Sequence, residues 1–379
     1  MRILHVVTLM SPDSAYGGPV RVALNQCNAL QGRGHDVVVA AAARGYDRMP
    51  TSVGDVAVRV FDARTSLPGI GFAGLRGAGM SRWIGEHASE FDVVHVHLAR
   101  DFVTLPAARA CIRKKIPVVL QTHGMIDHSS KVLSKPLDIF WTRPVLRAAS
   151  TVFYLTPREA NDLREVVGGL ESLWGLNNGV PLADPRESSS GVARPEVLFL
   201  ARLHPRKRPA MFVQMAHRLI QQGYVANFAL VGPDDGAQRE VDALIAEYGL
   251  QSRVRYEGAL PQDRAVARLR SASVYVLPAV DEPYPMSVLE AMSVGLPVVV
   301  TDTCGLAPLI EETRCGIVVG PDLDSMTDAV RRILDEPTLA TEMAESARRA
   351  VVERLSMSAV ADVLEGRYQR AVSGATEQS

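Results

Sequence analysis

The stretch VYVLPAVDEPYPMSVLEAMSVGLPVVVT, Val274–Thr301, decides the fold. Its opening residues, Val274–Pro278, are apolar and uncharged, as a strand covered on both faces requires. Pro283 and Pro285 then hold the chain out of the α region, because the residue before a proline avoids it. A proline is also suited to opening a helix, and Met286–Val294 carries a helical pattern. Pro297–Thr301 is a second apolar strand. Strand, helix and strand in that order build a parallel sheet.

The alternation extends in both directions. In the C-terminal half, Val197–Ala201, Phe228–Val231, Val254–Glu257 and Gly316–Val319 read as further strands. Helices are expected at Pro209–Gln222, Gln238–Tyr248, Asp263–Ser271 and Ser325–Leu334. In the N-terminal half, strands are expected at Arg2–Leu9, His35–Ala41, Val56–Asp62, Asp92–Leu98, Pro117–Gln121, Thr151–Leu155 and Leu173–Leu176. Helical patterns at Pro19–Gln31, Phe102–Lys114 and Pro136–Ala148 lie among them. Between the halves, Pro181–Pro195 (PLADPRESSSGVARP) has no periodicity and reads as a linker. The expected fold class is α/β, with two Rossmann-like domains facing a cleft. Residues 1–182 form the first and 196–356 the second, joined by a linker at 183–195. A C-terminal helix at 357–373 is expected to pack back on the first domain.

Composition narrows the function. A chain of 379 residues, 47% apolar and 22% charged, has material for two buried cores. A net charge of −1 argues against a nucleic-acid partner. Cys27, Cys111, Cys304 and Cys315 are scattered without a CxxC pair, which disfavours a zinc site or disulfide framework and suits a reducing cytoplasm. The N-terminus is too short and too lightly charged for a secretory signal, and no apolar run reaches the length of a membrane span. The expected location is cytoplasmic, with at most a peripheral contact at the inner face of the membrane.

Two loops carry the chemistry. Glu282 precedes the helix opened after Pro285, and Glu290 lies about a turn inside it. The amides of Met286, Ser287 and Val288 form the positive end of that helix, suited to a phosphate. Two carboxylates beside an anion site match a sugar nucleotide: one can bind sugar hydroxyls and the other ribose hydroxyls. The second loop, Arg202-Leu-His-Pro-Arg-Lys207-Arg208-Pro209, also joins a strand to a helix. Cations at a helix N-terminus cost stability unless an anion is bound there. Arg202 and Lys207 are therefore candidates to clamp a diphosphate and neutralise the leaving group. Arg206 and Arg208 are read as solvated.

Glu282 and Glu290 reproduce the E-x7-E motif, and Arg202 and Lys207 the R-x4-K clamp, so the chain resembles the retaining glycosyltransferases of family 4, which have the GT-B fold. Gly17-Gly18, His123 in Thr-His-Gly, Asn178-Gly179-Val180, Val231-Gly232-Pro233 and Gly295-Leu-Pro-Val-Val extend the resemblance over essentially the whole chain. It implies that Arg202 and Lys207 hold the donor phosphates and Glu290 the ribose. Glu282 would bind the transferred sugar near its 3- and 4-hydroxyls, with His123 beside it. Gly17, Gly18 and Gly232 join the donor-binding set, Gly17-Gly18 by allowing close backbone approach. The departing phosphate would take the acceptor's proton, with no metal or other cofactor required. Pro181 and Arg208 depart from common family residues without touching the clamp.

Other signals are weaker. Asp322-Leu-Asp324 has a metal-binding form but precedes a helix, so a cap is expected. His95 and His97 share one face of a strand, and a metal site there lacks an identifiable third ligand. A cleft-lining or packing role is expected, with acceptor contact open to His97. Gly17-Gly18 is not a dinucleotide fingerprint, which disfavours a dehydrogenase. Lys131, Lys135, Arg143 and Arg147 suggest a solvated helix face, or a weak contact with an anionic membrane.

The expected activity is a retaining transfer of a hexosyl-type sugar from a UDP- or GDP-sugar to a glycan, glycolipid or other hydroxyl acceptor, in polysaccharide or glycoconjugate biosynthesis. The alternative is a nucleotide-sugar 2-epimerase of the same architecture, betrayed by epimer formation without an acceptor. A binding module that has lost catalysis is disfavoured by the four competent side chains at Arg202, Lys207, Glu282 and Glu290.

Overall fold

The computed structural model describes residues 1–12, 17–67, 71–127, 134–185 and 194–376. They form two compact units, Met1–Gly179 with Met357–Ser379, and Val180–Ser356.

The second unit holds six strands: β10 (Glu196–Leu200), β11 (Asn227–Val231), β12 (Val254–Tyr256), β13 (Val274–Leu277), β14 (Val298–Thr301) and β15 (Gly316–Val319). All pair in parallel, in the order β12-β11-β10-β13-β14-β15. β13 and β14 are wholly buried, which explains their unbroken apolar runs. Chain direction across the sheet reverses between β10 and β13, so the loops after these two strands diverge and open a crevice at their carboxyl ends. Those loops are the two singled out by sequence.

The first unit is built alike. Its sheet runs β3-β4-β2-β1-β6-β7-β8-β9, where β1 is Arg2–Met10, β2 Asp36–Ala43, β3 Ser52–Val53, β4 Val56–Thr65, β6 Val93–His97, β7 Val118–Gln121, β8 Thr151–Tyr154 and β9 Leu173–Gly175. The short β3 and β5 (Leu75–Gly77) pair antiparallel to β4. The switch falls between β1 and β6, which pair in register His5 to His95. The C-terminal helix Met357–Thr376 belongs to this unit, where Val360, Leu364 and Tyr368 are buried with β1, β2 and Phe153.

Two helices absent from the sequence pattern, Ala307–Thr313 and Pro337–Ala350, pack in the second unit. Each opens at a proline at or beside its first residue, a signal that hydrophobic periodicity alone does not weigh. The expected helix Pro136–Ala148 is interrupted by a π-helical turn at Asp138–Thr142. Among the described residues, no helix is long and apolar enough to cross a membrane.

Candidate active site

In the second unit the two loops are tied together. Lys207 hydrogen-bonds the Glu282 carboxylate, and the Arg206 guanidinium lies 3.8 Å from the same oxygen. The Val280 amide donates to the Arg206 carbonyl at 3.1 Å. Glu282 is buried, so its charge depends on these cations. Burial pulls the Lys207 ammonium below its ordinary range, against the pull of Glu282 and with a smaller push from Arg206 and Arg202. Arg206 stays exposed, as expected, at the edge of this charged cluster. Arg208, read as solvated, takes a left-handed φ of 54° ahead of the helix Pro209–Gln221, and its side chain donates to the Pro321 carbonyl at 2.6 Å.

Arg202 is exposed and pairs with Asp235 at 2.6 Å. An exposed pair of this kind is worth about 1 kcal/mol or less, so a stronger anion can displace Asp235.

The helix Met286–Ser293 begins after Pro285 with no side-chain cap. Val288 does not offer a free amide, because it donates to the Pro285 carbonyl at 3.1 Å. The open end therefore centres on Met286 and Ser287. The Ser287 hydroxyl meets the Tyr275 hydroxyl at 2.7 Å, and Tyr275 also donates to the Leu200 carbonyl at 3.1 Å. This buried tyrosine fastens the end of β10 to the start of the helix. Sequence reading missed it, although a lone phenol in an aliphatic strand signals a hydroxyl in need of a partner. Asp281 sits at φ 49°, held as its amide donates to Thr303 at 3.1 Å and Gly305 donates to the Glu282 carbonyl at 2.8 Å. A strained non-glycine residue next to Glu282 marks a loop shaped for function. Glu290 is half-buried, one turn into the helix.

Gly232, expected among the donor-binding residues, also carries a backbone constraint. At φ 144°, a Cβ here would lie 2.0 Å from the Ala201 carbonyl oxygen. Its amide donates to Gly258 at 2.8 Å and its carbonyl accepts from Tyr256 at 2.9 Å. Close packing of β11 on the Arg202 loop accounts for the glycine. Asp322 caps its helix by accepting from the Ser325 amide at 2.8 Å, as expected.

In the first unit, His123 follows β7 at φ 51° on a loop pinned by Glu159. That buried carboxylate accepts from the Thr122 hydroxyl and the Gly124 amide, both at 2.5 Å, and from the Leu155 amide at 2.6 Å. His95 and His97 are wholly buried, so of the two expected roles they take packing rather than lining a cleft. The third imidazole that the sequence could not place is His5, opposite His95 across the β1–β6 pair. Gly17 opens the helix Gly17–Gln31, and a Cβ on Gly18 would meet no described atom within 4 Å. Arg147 is exposed, as a solvated face requires, and also donates to the Val167 carbonyl at 2.6 Å. Lys131 lies outside the described residues.

Comparison with known proteins agrees with this layout. Residues 17–171 match the model of the glycosyl transferase 4-like domain, and residues 183–350 that of the glycosyl transferases group 1. The chain is 29% identical over 273 residues to the alpha-D-kanosaminyltransferase of Streptomyces kanamyceticus, covering 67% of this chain and 70% of that one. It is 32% identical over 283 residues to a D-inositol 3-phosphate glycosyltransferase of Acidothermus cellulolyticus, covering 68% of this chain and 62% of that one. In fold it is similar to sucrose-phosphate synthase from Thermosynechococcus elongatus (TM-score 0.77, 18% identity, 99% and 100% covered). It is also similar to Anabaena HepE in complex with UDP (TM-score 0.76, 18% identity, 97% and 100% covered).

Proposed function

We propose that this chain, a glycosyltransferase of the GT-B fold, transfers a hexosyl-type sugar from a nucleotide-sugar donor with retention of configuration, as the family 4 enzymes it resembles do. The observation that carries the proposal is the convergence of Lys207, Arg206, Arg202 and the uncapped helix end at Met286 on one crevice beside Glu282 and Glu290. Cations and open amides suit a diphosphate, and carboxylates suit hydroxyls. UDP bound to the similarly folded HepE supports a nucleotide donor.

Lys207 and Arg202 then take the diphosphate together with the Met286 and Ser287 amides. Glu290 takes the ribose and Glu282 the transferred sugar, and His123 is a substrate contact carried by the first unit. Gly17 and Gly18 leave room for close backbone approach. The acceptor oxygen bonds to the anomeric carbon as its bond to the phosphate breaks, and the departing phosphate oxygen takes the acceptor's proton. Charge on that leaving group is met by fixed cations, so no metal is required. The acceptor is a glycan, glycolipid or related hydroxyl compound of glycoconjugate biosynthesis, and the enzyme works in the cytoplasm. The side chains of Ile139 and Phe140, exposed by half or more near Lys135, provide a peripheral membrane contact.

A thermal-shift panel of UDP-, GDP- and ADP-sugars identifies the donor, since a ligand of the native state raises its stability. With that donor, Lys207→Ala and Glu290→Ala are expected to cut transfer by about a hundredfold or more while the protein stays folded. Near-normal transfer by both variants refutes the assignment.

A further inference from the structure

His97 lies between two other imidazoles. Its Nε2 is 3.1 Å from Nδ1 of His5, and its Nδ1 is 2.7 Å from Nε2 of His123. The rings of His97 and His123 are within 10° of parallel. His5 continues the chain through Nε2 to the Tyr368 hydroxyl at 3.4 Å, and that hydroxyl meets Nδ1 of His95 at 2.6 Å. There the chain stops: Nε2 of His95 is buried without a hydrogen-bond partner. At the other end, His123 is partly exposed, and its Nδ1 makes no hydrogen bond to the described residues.

Burial lowers His5 and His123 to about 3 and holds His95 and His97 well below their ordinary range, with neighbouring imidazoles adding to the effect on the latter two. Each ring is therefore neutral near pH 7 and carries one proton. One arrangement gives every buried proton an acceptor. In it His5 Nδ1–H donates to His97, His97 Nδ1–H donates to His123, the Tyr368 O–H donates to His5, and His95 Nδ1–H donates to Tyr368. The reverse polarity leaves an N–H on His95 Nε2 with nothing to accept it, and unpaired buried N–H groups are rare in native proteins.

We propose that His97 and His5, with Tyr368 of the C-terminal helix, are positioning residues that hold His123 as its Nδ1–H tautomer, so that His123 offers the substrate a hydrogen-bond donor. The partner it selects is a substrate oxygen with a free lone pair. A protonated amine at that place, which only donates, is refused. The substrate part of the proposal rests on His123 being a substrate contact; the tautomer itself does not.

Ring nitrogens of His5, His95 and His97 lie within 4.8 Å of one another, close enough for a metal ion. A metal would replace the protons shared along the chain, so metal content is part of the test.

Long-range 1H–15N correlation spectra of the full chain, labelled at histidine and free of substrate at pH 7, report which nitrogen of each ring is protonated. His123 is expected as a single neutral Nδ1–H species. In His97→Phe, and in His5→Phe as a second route if the first variant does not fold, that signal should give way to a mixture containing Nε2–H. Transfer by the folded variant should fall at least about tenfold. An Nε2–H or doubly protonated His123 in the unaltered protein, or stoichiometric zinc in the purified chain, overturns the proposal. If His123 shows Nδ1–H but His123→Ala transfers normally, the role of His123 as a substrate contact fails and the tautomer lock stands.

Discussion

Single residues in the crevice are fixed by what they cannot avoid. Glu282 is buried and would be untenable alone, so Lys207 and Arg206 are drawn to it, and the same cations are then in place for a phosphate. Gly232 shows the complementary constraint, in which backbone rather than charge decides the residue. Gly232→Ala forces a Cβ against the Ala201 carbonyl at a φ that side chains resist. The variant should lose about 3 kcal/mol or more in urea unfolding, because the clash and the strain add. A loss under about 0.5 kcal/mol would show that the Arg202 loop can move aside at little cost.

At the scale of elements, Tyr275 adds a second tie between the end of β10 and the helix Met286–Ser293, beside the Lys207–Glu282 pair. Tyr275→Phe keeps the ring and removes a hydroxyl that serves both Ser287 and the Leu200 carbonyl. A loss of about 1–3 kcal/mol is expected by chemical denaturation, with a several-fold rise in donor KM and a smaller change in kcat. An unchanged KM would show that the helix end keeps its place without the phenol. The π-helical turn Asp138–Thr142 has another consequence, since it coincides with the outward-facing Ile139 and Phe140. Sedimentation with vesicles of anionic lipid should carry the protein down, and Phe140→Asp should release it. Equal binding by both forms assigns the contact to charge alone.

For the whole molecule, the imidazole chain sets the response to acid. An unfolded histidine has a pKa near 6.5, whereas His5 is held at about 3 in the fold. Below pH 6.5 the unfolded chain binds more protons than the folded one. Stability is therefore complete above that pH and is lost as pH falls from about 6.5 towards 3. Each such ring contributes a slope approaching about 1.4 kcal/mol per pH unit. Asp101 and Glu159, raised by burial, act in the opposite sense, but they are two groups against four imidazoles. Urea midpoints measured from pH 7.5 to pH 5 should fall steadily, and a midpoint that rises on acidification would contradict this balance.

The alternation of apolar runs with helical patterns was enough to predict two α/β halves, because parallel strands covered on both faces are built mostly of apolar residues. The spacings of Glu282 with Glu290 and of Arg202 with Lys207 were equally open to sequence, since each pair lies within one strand–loop–helix segment. Tertiary structure alone decided which partners those residues take. Lys207 and Glu282 meet because β10 and β13 are neighbours although 75 residues separate the pair. His5, His95, His97, His123 and Tyr368 come together through the strand order and the return of the C-terminal helix. Local sequence encodes which face of an element is apolar; it carries no record of which distant side chain fills the space opposite.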